Sequence, residues 1–77
     1  MRVHVYLRSS LFSLPGARRH VPDQAMVLVG QLKEQAGGGI TVDVESFLDE
    51  RGRALEGAPR TLIIPGSKID HLWVEPS

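Results

Sequence analysis

The fold class predicted for this chain is mostly β, a small single-domain barrel of five strands. Three observations lead there. Apolar residues alternate strictly at the start of the chain and again over residues 40–48, the period of a half-buried strand. Gly30 sits inside an apolar stretch, where a sharply coiled strand needs a position without a side chain. Clusters of turn residues punctuate the chain at short intervals. The length of 77 residues allows one domain, spanning 1–77, and no second.

In residues 2–7, Val3, Val5 and Leu7 share one face and Arg2, His4 and Tyr6 the other. Residues 8–22 break the alternation. Ser9-Ser10, Pro15-Gly16 and Pro22 mark a long connection that carries Arg18-Arg19-His20, with Leu11, Phe12 and Leu14 placed to tuck against the core. Residues 23–36 read two ways. As a strand they turn Met26, Leu28, Gly30 and Leu32 inward and Ala25, Val27, Val29, Gln31 and Lys33 outward, and Gln35 to Gly39 becomes a hairpin loop. As a helix they start at Pro22-Asp23, stop at Gly37 and align Ala25, Leu28, Val29, Leu32 and Ala36 on one stripe. Val27, Val29 and Gly30 count against the helix, a mid-helix glycine costing about 1 kcal/mol relative to alanine. The helical version gives the alternative fold, α+β, with one helix over 23–36 packed on a four-stranded sheet.

Ile40, Val42 and Val44 face inward, and Thr41, Asp43 and Glu45 outward. The phase slips at Ser46, since Phe47 and Leu48 are both apolar, which predicts a bulge. Asp49-Glu50-Arg51-Gly52 forms a tight turn with glycine where φ is positive. A polar loop over 53–60 leads to a short apolar strand over 61–64, and Pro65-Gly66-Ser67 breaks it. Ile69 follows on a turn. In the last strand Leu72 and Val74 face inward, and His71, Trp73 and Glu75 outward.

Composition excludes several classes. The absence of cysteine rules out a disulfide scaffold and any cysteine-ligated zinc site. A hydrophobic content of 42% with zero formal net charge argues against disorder. No apolar run approaches the roughly 18 residues of a membrane helix, and the alternating first strand lacks a signal-peptide core. The expectation is a cytoplasmic protein with no membrane partner. Seven Arg against two Lys, with no Asn or Cys, is a composition found in thermophiles and in GC-rich genomes. A domain this small, without disulfides, gains stability from close packing or self-association, so a homo-oligomer is expected. Residues 1–40 carry Arg2, Arg8, Arg18, Arg19 and Lys33 against Asp23 and Glu34, a net of +3. The remaining residues carry a net of −3, so the two halves are complementary in charge.

Catalytic and metal signatures are missing. His4, His20 and His71 have no metal-ligand spacing. Asp70-His71 could act as orienter and base only if the strand bends there, because neighbours on a regular strand face opposite ways. No serine lies in a nucleophile-elbow context, and Gly37-Gly38-Gly39 lacks the lysine and the strand-to-helix order of a phosphate loop. Asp43 and Glu45 share a strand face, as a solvated sheet surface does. The chain is therefore read as a non-enzyme without cofactor or metal. The candidate site is a surface: His4 and Tyr6 project from the outer face of the first strand, and His71 and Trp73 from that of the last. In a closed barrel those strands are neighbours, and the four side chains form one patch. Tyr and Trp are enriched where surfaces bind proteins. They also stack on bases, for which Arg2, Arg18 and Arg19 would supply phosphate contacts.

The C-terminal third carries a family resemblance. Leu62-Ile63-Ile64, the turn Pro65-Gly66-Ser67-Lys68, and then Ile69, Leu72 and Val74 resemble the closing strands of Sm-like and SH3-like small barrels, over about 15 residues. The resemblance implies a fourth strand that turns into a fifth closing onto the first. Sm-like RNA sites carry a cationic residue at that turn, where this chain has Pro65-Gly66, so no RNA-contacting residue is carried over. The helical alternative looks more like a β-grasp domain, although the chain ends Val74-Glu75-Pro76-Ser77 where ubiquitin-like carriers end in Gly-Gly. The first reading is a binding or self-assembly domain with a protein partner. The alternative is an Sm-like nucleic-acid (RNA) binding module.

Overall fold

The computed structural model describes residues 1–9, 24–57 and 59–76. The connection expected over 8–22, with Arg18, Arg19 and His20, lies almost entirely outside them. The described chain runs β1 (Arg2–Leu7), β2 (Val27–Ala36), β3 (Gly39–Leu48), β4 (Ala54–Leu55), β5 (Arg60–Pro65), a 3-10 turn (Gly66–Lys68) and β6 (Ile69–Val74). All pairings are antiparallel, in the order β4-β3-β2-β1-β6, with β5 also on β3. The sheet curls into a half-barrel, so the mostly β, barrel-like fold is the one present. Two details differ from expectation. A sixth strand, Ala54–Leu55, forms in the predicted polar loop, because ten-residue β3 leaves room on one edge for β5 along Gly39–Val44 and for β4 beside Phe47 and Leu48. Among the described residues β5 and β6 do not pair, so the sheet is open there.

Residues 27–36 form a strand, and the helix over 23–36 is overturned. β2 is central, with β1 on one side and β3 on the other, so its backbone groups are used by both neighbours. Gly30 shows why glycine is needed: a Cβ there would overlap the Asp43 carbonyl. Val27 and Val29 do not face solvent as the alternation suggests. They are 7% and 4% exposed. Each is flanked on both sides across the sheet, Val27 by Tyr6 and Leu48 and Val29 by His4 and Ser46. A central strand with large neighbours buries its outer face as well as its inner one. Leu28 reaches the core as expected, and Ala25, assigned outward, joins it.

The core is Val3, Val5 and Leu7 of β1, Leu28, then Ile40, Val42, Val44 and Phe47 of β3, and Ile64 of β5. Leu32, Leu55, Leu62, Ile69 and Leu72 pack around it, half-buried. Val74, expected inside, is 45% exposed because it lies near the free end of an edge strand. The bulge read from Phe47-Leu48 is present. Val29 pairs with Ser46 and Gly30 with Val44, leaving Glu45 as the extra residue. The turn after β3 also forms as read, with Gly52 at φ 80° and its N–H donating to the Asp49 carbonyl.

Candidate functional site

β6 pairs with β1, and that register builds the site. His4 lies opposite Trp73, and Tyr6 opposite His71. The His4 and Trp73 rings meet edge to face, centroids 5.0 Å apart at 77°. The Tyr6 and His71 rings stack, 4.5 Å apart at 7°. These separations match the spacing of neighbouring strands, so the rings form two rows across the sheet. The rows begin at Val29 and Val27 and end on β6, where Trp73 is half exposed and His71 is exposed. Between them lies an open groove of about 320 Å³ lined by His4, Tyr6, His71, Leu72 and Trp73. The four ring residues singled out from the sequence are thus brought together. Arg18 and Arg19 lie outside the described residues, so the structure places neither beside the groove.

Charged groups frame the patch, and Arg2, expected to be available for phosphate, is instead paired with carboxylates. At one end, Glu75 Oε2 lies 2.6 Å from Arg2 Nε and 3.3 Å from His4 Nε2, and Arg2 also pairs with Glu45. At the other end, the Arg8 N–H donates to the Lys68 carbonyl and Arg8 Nε to the Ile69 carbonyl. Lys68 Nζ lies 3.3 Å from Ser9 Oγ.

Asp70 and His71 come together through the bend that their contact needs. On a regular strand they would face opposite ways, yet His71 Nδ1 lies 3.0 Å from Asp70 Oδ2. The cause is a bulge in the β1–β6 pairing. Tyr6 pairs with His71 and Leu7 with Ile69, so Asp70 is the extra residue and its side chain is re-aimed onto the ring side. With the proton on Nδ1 donated to Asp70, His71 Nε2 is left as a hydrogen-bond acceptor. The sequence does carry the signal. Ile69 and Leu72 both turn toward the core at a spacing of three, as Val44 and Phe47 do around the bulge in β3.

Two carboxylates titrate low, both away from the groove. The Thr61 hydroxyl, which donates to Asp43, does most to hold that carboxyl below its ordinary value, and Lys33 adds to it. The backbone N–H of Arg53, with that of Arg51, does the same for Asp49. Among the described residues no group of three or more His, Asp or Glu is placed to hold a metal ion, and no helix is long and apolar enough to cross a membrane. Comparison with known protein families, curated proteins and solved structures finds no match.

Proposed function

We infer that this chain is a non-enzymatic binding domain whose ligand is another protein, held at the ring surface of β1 and β6. The carrying observation is that Trp73, the sole tryptophan, stands half exposed at the end of an ordered ring row beside an open groove. A large ring kept at the surface in a fixed geometry offers contact area at low entropic cost, as binding anchors do. The Trp73→Ala variant tests this. The His4–Trp73 contact is worth about 0.5–1.5 kcal/mol beyond buried area, so the variant should still unfold cooperatively, a few degrees lower. Its association, with itself or with a partner followed by light scattering, should be lost. A large fall in melting temperature with unchanged association would mean that the rings only stabilise the sheet.

A second reading, an Sm-like nucleic-acid module, draws support from Arg8 and Lys68 at one end of the groove and from β6 closing onto β1 after a tight turn. Single-stranded RNA binding that weakens steeply with salt would favour it, since phosphate contacts release counterions. Salt-insensitive or absent binding would remove it.

A further inference from the structure

The outer edge of β6 has no strand beside it among the described residues, and its chemistry is that of an interface. Trp73 on one face and Val74 next to it are 50% and 45% exposed. Edge strands that avoid pairing carry charge, proline, bulges or strong twist. In β6 the charge and the bulge sit together at Asp70, and the four residues after it, His71-Leu72-Trp73-Val74, carry no proline and no carboxylate, lysine or arginine.

The backbone fixes which groups are free. The Glu75 N–H donates to the Arg2 carbonyl at 3.0 Å. In an antiparallel ladder such pairs alternate with open ones, so Trp73 and His71 also turn their backbone groups toward β1. Leu72 and Val74 therefore turn theirs outward. An antiparallel copy of β6 can bond to that edge only where outward groups meet outward groups. One such register sets Leu72 opposite Leu72 of the second copy, with His71 opposite its Trp73 and Trp73 opposite its His71. Each ring row then continues across the edge, His4 and Trp73 of one copy followed by His71 and Tyr6 of the other. Sliding one copy by two residues, so that His71 or Trp73 meets its own equivalent, leaves Trp73 opposite Ile69 in the first case and carries Pro76, which has no N–H, into the ladder in the second. Charge points the same way. Around the Ile69 end Arg8 and Lys68 outnumber Asp70, whereas around the Val74 end Glu45 and Glu75 are matched by Arg2 and the Met1 ammonium. Antiparallel pairing sets the net positive end of one copy beside Glu75 of the other.

We propose that the edge of β6 is the interface of a two-fold dimer in which β6 of two copies pair antiparallel about Leu72, joining the two half-barrels into one continuous sheet. This rests on the reading of the ring surface as a protein-binding face and names a second copy of the chain as its occupant. Such an interface is isologous, as two-fold dimers require.

The test uses the full chain. Light scattering over a dilution series should show twice the chain mass, falling to the chain mass on dilution. The chain has no cysteine, so Leu72→Cys introduces a single thiol, and mild oxidation should link two copies through it, while Ile63→Cys, on exposed β5, should not. Val74→Pro removes an N–H that points away from β1 and that the dimer uses, a substitution edge strands tolerate. It should raise the dimer dissociation constant by about tenfold or more, as loss of one hydrogen bond per copy requires, and leave the monomer's circular dichroism unchanged. A chain monomeric at every concentration overturns the dimer. So does a dimer indifferent to Val74→Pro, or one linked as readily through Ile63→Cys. A monomer whose Trp73 emission shifts on adding another protein would sink the dimer and keep the broader reading. A monomer with no such partner would sink both.

Discussion

Asp49 shows how much one side chain can organise. Its Oδ1 accepts the backbone N–H groups of Arg51 and Arg53, both at 2.9 Å, and its Oδ2 lies 3.2 Å from Arg53 Nε. Those contacts are stronger to the carboxylate than to the neutral acid, the backbone N–H of Arg53 most of all, which is why the pKa lies below the ordinary 3.8. As pH falls, the unfolded chain takes up this proton before the folded one does. The stabilisation is therefore complete above the ordinary carboxylate range and is lost as pH drops through the lower folded value. Asp49→Asn should lower the melting temperature at neutral pH and flatten its fall on acidification. Thermal melts from about pH 6 down to about pH 2, spanning the carboxylate range, check this. Asp43 contributes in the same direction, so some acid dependence should survive. An unchanged acid slope in the variant would show that the Asp49 contacts do not set it.

At the scale of elements, β6 depends on its bulge. Without the extra residue Asp70 would face away from His71, and the ring row would end in an imidazole with neither nitrogen fixed. With it, Asp70 Oδ2 lies within hydrogen-bond reach of His71 Nδ1, an arrangement that favours the Nδ1–H form of the ring. Asp70→Ala should shift His71 toward the Nε2–H form without disturbing the stack on Tyr6. Nitrogen chemical shifts of the two ring positions read this directly, and an unaltered tautomer balance would mean that Asp70 does not orient the ring. The element was only partly legible beforehand. The alternation of His71 and Trp73 gave the two outward rings. The missing alternation between Ile69 and Leu72 marked the bulge, and it was masked by the turn residues just before it.

For the whole molecule, stability rests on a thin core. Phe47 is the largest fully buried side chain, at 1% exposure. Phe47→Ala should cost about 3–5 kcal/mol, a large part of the roughly 5–15 kcal/mol that holds a domain folded. Urea denaturation should show most of the variant unfolded at concentrations that leave the parent chain native. A midpoint close to the parent's would place the stabilising contacts elsewhere. The same thin core gives self-association energetic value, since any partner that binds only the folded chain raises its apparent stability with concentration.

The residue order alone settled which side chains face in and out wherever one sheet face is buried and the other is wet. Alternation reports that contrast, and it identified β1, most of β3 with its bulge, and the outward rings of β6. It could not separate strand from helix over 23–36, because Val27, Leu28 and Val29 are all buried there and a run of apolar residues carries no period. That choice came from the neighbours: β1 and β3 take up the backbone groups of β2 from both sides, and the Asp43 carbonyl occupies the space a side chain at position 30 would need. The site divides in the same way. Its ring residues follow from local pattern, but their pairing across β1 and β6, the charges at the two ends of the groove and the contact between Asp70 and His71 depend on register. Register is set by residues far apart in the chain, whose separation no local pattern records.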